Sequence, residues 1–237
     1  MRVRLRLTRT TFFVAAFAFS LVALIPLRVA IGWFGGDGLA AREAEGSVWL
    51  GVLKEAQLGP MALGDVRARL NILPLLLGRA RLALYRDEAN GGRLDGAVSV
   101  SRHTIGIEDM TGQLRTGSLF APVPISALDL DQVSARFDGN QCESADGRVR
   151  VTIAGTLAGI PLPSGAAGDL RCDQGALLLP LTSQSGMGQL NIRVRGDGGY
   201  TVELLVRQLD PTLAPSLAGA GFAPSGDGYV RRIEGHF

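Results

Sequence analysis

The N-terminal segment constrains this chain more than any other part of it. Thr10 to Leu27 contains no charged side chain, and after Arg28 the apolar character continues to Phe34. A stretch of about 23 to 25 such residues is long enough to cross the ~30 Å hydrocarbon core of a bilayer with some tilt. The sequence therefore predicts a single transmembrane helix over residues 11–34.

The charges around this run predict its orientation. Arginines stand at positions 2, 4, 6 and 9, directly before the apolar residues. Positive residues are retained on the cytoplasmic side of a membrane, and aromatic residues are common at the interfaces. We therefore predict that residues 1–10 are cytoplasmic, that Trp33 and Phe34 lie at the outer interface, and that residues 35–237 form a periplasmic domain of an inner-membrane protein.

A cleaved secretory signal is the alternative, because it has the same basic and apolar regions. The stretch over residues 27–32 offers no clear cleavage site of small residues, and residues 38–41 provide only a late, weak one. Arg28 and Pro26 are compatible with a span, since arginine side chains near a helix end reach the headgroups and membrane helices tolerate proline. An uncleaved anchor is therefore the preferred interpretation.

The exported part alternates apolar residues with Arg, Ser, Thr or Asn. This period of two is typical of strands with one buried face, and the glycine-rich turns between them favour antiparallel hairpins. We predict a mainly β domain, an antiparallel and curved meander. The strand-like pieces are residues 47–49, 66–70, 81–85, 98–100, 149–153 and 190–194, and the turns are residues 90–92, 138–140, 146–147, 164–165 and 196–199.

Two segments depart from this alternation, and the C-terminal residues follow them. Residues 72–78 predict a short helical turn or apolar loop, and Pro211 predicts the start of a short helix ending near Gly219. Residues 218–228 are rich in Gly, Ala, Ser and Pro and predict a loose linker, after which residues 229–237 predict a last strand.

Cys142 and Cys172 are the only cysteines, and both lie on the predicted exported side. An oxidising compartment favours their pairing. The sequence has no CxxC motif, and its two histidines are isolated, so the spacing does not resemble a metal site. A disulfide is the prediction, and two buried thiols are the alternative.

Charge and motif content argue against several classes of function. Lys and Arg number 24 against 22 Asp and Glu, so nothing indicates binding to nucleic acid. His103 beside Ser101, and His236 near the C-terminus, do not supply a nucleophile with a base. We predict no enzymatic activity, no cofactor and no metal. The carboxylate pairs at residues 87–88, 108–109 and 129/131 are interpreted as solvated strand faces.

Three short segments carry a family resemblance. They are Gly46-Ser47-Val48-Trp49-Leu50-Gly51, Leu63-Gly64-Asp65-Val66-Arg67-Ala68-Arg69-Leu70 and Pro74-Leu75-Leu76-Leu77-Gly78. With a proline-containing anchor before them and a glycine-punctuated β-domain with two cysteines after them, they resemble protein N of the bacterial type II secretion system. The motif positions are Gly46, Ser47, Trp49, Gly51, Leu63, Gly64, Pro74 and Gly78. Where the family pattern has an aromatic residue, this chain has Arg67 and Arg69, so no aromatic role is assigned there.

The resemblance implies a function as well as a layout. It implies a non-enzymatic accessory component of the machine that exports folded periplasmic proteins, with the outer-membrane secretin and the inner-membrane platform proteins as partners. The family is also similar to AsmA-like envelope proteins, whose curved sheets present a hydrophobic groove to lipid, so lipid binding or transfer is the alternative. A lipid groove requires an open apolar face, whereas a scaffold covers that face and exposes an edge or a patch.

Overall fold

In the computed structural model, an apolar helix precedes a long antiparallel sheet. The structure describes residues 9–29, 39–58, 61–87, 92–116, 125–157, 160–161, 165–184, 186, 188–207, 214–226 and 228–236. The predicted cytoplasmic residues 1–8 and the predicted interfacial residues Trp33 and Phe34 lie outside these ranges.

The described elements are three helices and eighteen strands. The helices are α1 (Arg9–Ala23), α2 (Ile72–Leu76) and α3 (Ala214–Gly219). The strands are β1 (Leu39–Ala40), β2 (Glu43–Ser47), β3 (Leu50–Leu58), β4 (Met61–Leu70), β5 (Ala80–Arg86), β6 (Leu94–Val100), β7 (Thr104–Arg115), β8 (Ile125–Asp138), β9 (Gln141–Ile153), β10 (Thr156–Leu157), β11 (Ile160–Pro161), β12 (Gly165–Asp169), β13 (Arg171–Asp173), β14 (Ala176–Ser183), β15 (Gly188–Val194), β16 (Gly199–Arg207), β17 (Ala223–Ser225) and β18 (Gly228–His236).

The predicted antiparallel meander is confirmed. Apart from the small β10–β11 ladder, the described strands form one sheet in the order β1-β3-β4-β5-β6-β7-β8-β9-β12-β14-β15-β16-β18-β17, with β2 also on β3 and β13 on β14. Strand order therefore follows chain order closely. One long-range pair departs from this order: Ala62 of β4 lies opposite Arg115 of β7, past the ends of the shorter β5 and β6.

The sequence-predicted strands are mostly found, as are the hairpin turns at Gly139–Asn140 and at residues 196–198. Residues 90, 91 and 164 of two other predicted turns lie outside the described ranges. Two local predictions are wrong. Val48 and Trp49 form the turn between β2 and β3 instead of continuing a strand, and Gly147 lies inside β9 instead of in a turn. The second error has a simple cause, because a bulge and a hairpin turn both select a glycine with positive φ.

Three bulges bend the first half of the sheet. At each, a non-glycine residue adopts a left-handed φ of 48° to 51°, and its backbone N–H donates to a side chain of a neighbouring strand. The side-chain oxygen supplies the partner that the interrupted ladder lacks. The donor and acceptor pairs are Glu55 with Asp65, Asp109 with Ser134, and Gln132 with Thr111, at N···O distances of 2.9, 2.9 and 3.1 Å.

The apolar face of the sheet forms one continuous core from β6 to the C-terminal strands. Leu94, Leu181 and Leu190 are buried in this core, which also includes Leu217 of α3 and the following Phe222. The residues predicted to form a loose linker thus cover the sheet and add strand β17, so that prediction is wrong. The last strand is confirmed as β18, and a short helix, α3, ends at Gly219 as predicted. Its predicted start at Pro211 lies outside the described residues.

The N-terminal helix is apolar and exposes its described side chains, among them Phe13, Phe17 and Leu21. It has 15 residues. Within the described ranges, no helix combines the length and the hydropathy needed to cross a membrane.

The predicted disulfide is present. Cys142 at the start of β9 is bonded to Cys172 in β13, with the two Cα atoms 5.6 Å apart and a sequence separation of 30. The β9–β12 ladder ends at the pair Arg148 and Asp169, so the disulfide holds β13 beside β9 beyond that ladder. The alternative of two buried thiols is wrong.

We expect loss of this disulfide to destabilise the β-domain. Closing a loop of this length contributes about 3 kcal/mol in the chain-entropy model. Full-length protein carrying both Cys142→Ser and Cys172→Ser should therefore unfold at a lower urea concentration than the oxidised protein, and reductant should shift the wild type to the same midpoint. A wild-type midpoint that is unchanged by reductant would contradict this expectation.

Candidate interaction surfaces

The chain that leaves α1 is fastened to the β-domain at one end of the sheet. Pro26 forms a β-bridge with Ser47, and Val48 donates its N–H to the Ile25 carbonyl at 3.1 Å. Leu27 is 4% exposed and packs in a small second core with Leu53 and Ala56. We call this contact the junction. It makes residues 25–27 part of the folded domain.

The first family segment builds the junction. Gly46 and Gly51 face each other across the β2–β3 hairpin, and half-buried Trp49 lies in its turn. A Cβ atom at Gly51 would collide with the Leu27 side chain, so a larger residue at position 51 would require that leucine to shift. Packing against Leu27 therefore favours glycine at position 51, a reason that the sequence alone did not show.

The other motif positions lie on β4, which pairs with β3, or in the connection that follows β4. Leu63 packs against the second core, and Gly64 lies opposite Ala56 at the bulge of β3. Pro74 and Gly78 belong to the connection between β4 and β5. Within the described residues, the eight predicted positions thus gather around the entry of the chain into the sheet and do not form a catalytic constellation.

That connection is an exposed aliphatic surface, which we call the leucine turn (residues 72–77). Its aliphatic side chains are largely uncovered by the described residues. The exposed fractions are 58% for Ile72, 77% for Leu73, 41% for Leu75, 78% for Leu76 and 87% for Leu77. A contiguous apolar surface of this kind marks a contact with another molecule or with a membrane.

Strand β18 provides a partly open sheet edge. All nine of its residues pair with β16, whereas β17 covers only Gly228, Tyr229 and Val230 on the other side. Among the described strands, none pairs with residues 231–235 on that side. Arg232 contacts Glu203 and Glu234 there, at 3.6 and 3.0 Å. Such an edge can accept a strand from a partner, although charged side chains discourage unspecific pairing.

A buried arginine is the feature that sequence reasoning missed. Arg86 at the end of β5 is 3% exposed. Its guanidinium donates to the carbonyls of Gly92, Leu63 and Gln113, and the first of these bonds measures 2.6 Å. Burial lowers the pKa of Arg86, with Arg115 as a second cause. The side chain joins β4, β7 and the start of β6 where the long-range β4–β7 pair forms, so its role is structural.

The carboxylate pairs are structural as well. Glu108 forms an ion pair with Arg81 at 2.7 Å, and this guanidinium holds the pKa of Glu108 below its usual value. Asp109 lies at a bulge. Asp129 and Asp131 lie opposite Arg150 and Arg148 in the β8–β9 ladder.

The remaining acidic and histidine positions fit the same description. Asp87 lies 3.5 Å from Arg67, whereas Glu88 is outside the described residues. The ring of His236 lies near Gly198, and His103 is exposed. The described residues include no cluster of three or more His, Cys, Asp or Glu side chains that could hold a metal ion.

Comparison with known families decides the assignment. Residues 37–232 match the family described as type II secretion system (T2SS), protein N. The chain belongs to this family. The match covers the junction strands, the leucine turn, both cysteines and most of the sheet, so the resemblance carried by the three short segments is confirmed. No match was found among curated proteins or among solved structures.

Membership in the protein N family assigns the chain to the type II secretion system in general. Members of this family are non-catalytic components of the secretion system, and their partners are other components of the same system. The described surfaces are compatible with binding to such components, because they include the exposed leucine turn and the partly open edge of β18.

Proposed function

We propose that this protein N family member is a non-enzymatic accessory component that links or stabilises the inner-membrane platform and the outer-membrane secretin. In this proposal residues 1–10 are cytoplasmic, the apolar segment within residues 11–34 anchors the chain in the inner membrane, and the β-domain lies in the periplasm. Because Leu27 packs in the domain, the apolar segment leads directly into the folded β-domain.

The junction is the observation that carries this proposal. A linking protein must hold its folded domain in a defined position relative to its anchor. Ile25 accepts a hydrogen bond from Val48, Pro26 is bridged to Ser47 and Leu27 is buried against β3, so the chain passes from the apolar helix into the sheet within a few residues. The junction also supports retention of the segment, because cleavage near residue 41 would remove Leu27 from the second core and strand β1 from its pairing with β3.

The edge of β18 is our candidate for the contact with a partner. It lies at the far end of the strand order from β2 and β3, which carry the junction. A strand added there would gain backbone hydrogen bonds along residues 231–235, and side chains on alternate positions would supply specificity. The two ends of the sheet would then serve the two membranes.

The lipid alternative is less well supported. A lipid groove needs an apolar face open to solvent, but Leu217 is 1% and Phe222 5% exposed within the main core. Helix α3 and the following Phe222 cover that face at the C-terminal end. The depression lined by Arg93, Thr111 and Gln113 also includes Asp129 and Arg150, which is a polar lining unsuited to an acyl chain.

Site-specific crosslinking in the native envelope tests the proposal. A photoreactive amino acid replaces Glu234 on β18, and the matched control replaces Gln113, an exposed residue of the interior strand β7. We expect mass spectrometry to find secretin or platform proteins crosslinked at position 234 and far fewer at position 113. Recovery of stoichiometric phospholipid without these proteins would refute the linking function and favour lipid binding.

A further inference from the structure

The leucine turn lies next to the point where the N-terminal segment enters the sheet. Two backbone hydrogen bonds link that segment to the end of β4. The N–H of Val48 donates to the Ile25 carbonyl, and the N–H of Leu70 donates to the Val48 carbonyl, each at 3.1 Å. Neighbouring strands are about 4.8 Å apart, so Ile25 and Leu70 are separated by roughly 10 Å. Helix α2 begins two residues after Leu70. The exposed leucines therefore lie close to the end of α1.

The composition of this surface fits lipid better than protein. The exposed side chains of residues 72–77 are aliphatic, and Leu is under-represented among residues that dominate protein interfaces, where Trp, Tyr and Arg are enriched. Arg69 and Arg79 are exposed on the two sides of the turn. Arginines beside an apolar surface are complementary to anionic headgroups. Trp49, in the hairpin turn between the junction and the leucine turn, is of the type common at membrane interfaces.

We propose that the leucine turn inserts into the outer leaflet of the same membrane that holds α1. The domain then contacts the bilayer at two points, the N-terminal helix and residues 72–77, and this second contact restricts rotation of the sheet about the anchor. The inference rests on the membrane anchorage contained in the proposed function. It adds a lipid contact for residues that belong to the folded domain.

The test uses full-length protein reconstituted in vesicles of phosphatidylethanolamine and phosphatidylglycerol. Since the native cysteines are paired, a single new thiol can carry an environment-sensitive fluorophore. Three variants are compared: Leu76→Cys in the leucine turn, Phe17→Cys in α1, and Gln57→Cys as the control. Gln57 is exposed near the opposite end of the β3–β4 hairpin. Nitroxide lipids quench probes in the bilayer, and aqueous iodide quenches probes in water.

We expect the probe at position 76 to be quenched by nitroxide lipid and to lose its access to iodide, as the probe at position 17 does, whereas position 57 stays accessible to iodide. Lipid contact at position 17 with an aqueous probe at position 76 would overturn this inference and leave the anchorage intact. Aqueous probes at both positions would overturn the anchorage as well. Shielding of position 76 from both quenchers would show a protein contact, such as a second copy, and would also overturn it.

Discussion

Replacement of Arg86 by methionine is expected to lower the free energy of unfolding by about 3 to 5 kcal/mol, because three backbone carbonyls would lose their donor in a buried site. The carbonyls belong to Gly92, Leu63 and Gln113. Methionine fills much of the arginine volume, so the loss should come from the hydrogen bonds and not from a cavity. Urea unfolding of the full-length protein in detergent measures the effect.

Two further substitutions separate this explanation from a general effect of charge. Arg86→Lys keeps the charge but cannot present the planar fork of donors, so it should recover only part of the lost stability. Arg93→Met removes an exposed arginine that directly precedes β6 and should change the unfolding midpoint little. If Arg86→Met were as stable as Arg93→Met, the three hydrogen bonds would not hold β4, β6 and β7 together.

Alanine at Gly147 is expected to be comparably disruptive. Gly147 has φ +106°, and a Cβ atom there would lie 2.6 Å from both the Gln132 carbonyl oxygen and the Val133 Cα, which are backbone atoms of the opposing strand. Strained backbone of this kind costs on the order of 1 to 3 kcal/mol, and forcing atoms into a packed site adds a similar amount. We expect a total loss of about 3 to 5 kcal/mol, measured by urea unfolding.

The hairpin that contains Gly147 also provides its control. Gly139, in the turn between β8 and β9, has φ +54°, but a Cβ atom there would meet nothing within 4 Å. Gly139→Ala should therefore carry only the left-handed backbone cost of about 1 to 2 kcal/mol. Equal losses for the two substitutions would show that the close approach of β8 to β9 does not determine the need for glycine at position 147.

The sequence predicted the fold class well because strand alternation is a local property. In each strand-like segment, such as residues 149–153, the alternation of side chains indicates which face is buried. The glycine-rich turns indicate the hairpins. It could not distinguish Gly147 in a strand from Gly139 in a turn, because both positions require positive φ. The neighbouring pair Glu108–Asp109 marked a bulge, although it was interpreted as a solvated strand face.

The candidate surfaces were less accessible from sequence. Arginine is rarely buried, so nothing in the local pattern around Arg86 indicates that it joins three parts of the sheet. Leu27 was assigned to the membrane-anchor segment, and only the structure places its side chain in the small core beside Gly51. The open edge of β18 depends on how far β17 extends, which is a tertiary property.

The strand order has a consequence for how the chain folds while it is being synthesised. Because nearly every strand pairs with the one before it, a chain that emerges N-terminus first can add each new strand to an existing edge without waiting for distant segments. Each arriving strand covers the previous edge and exposes its own. The long-range pair between β4 and β7 can form only after β5, β6 and β7 have been synthesised. The partly open edge of β18 is thus a place where another chain could extend the sheet.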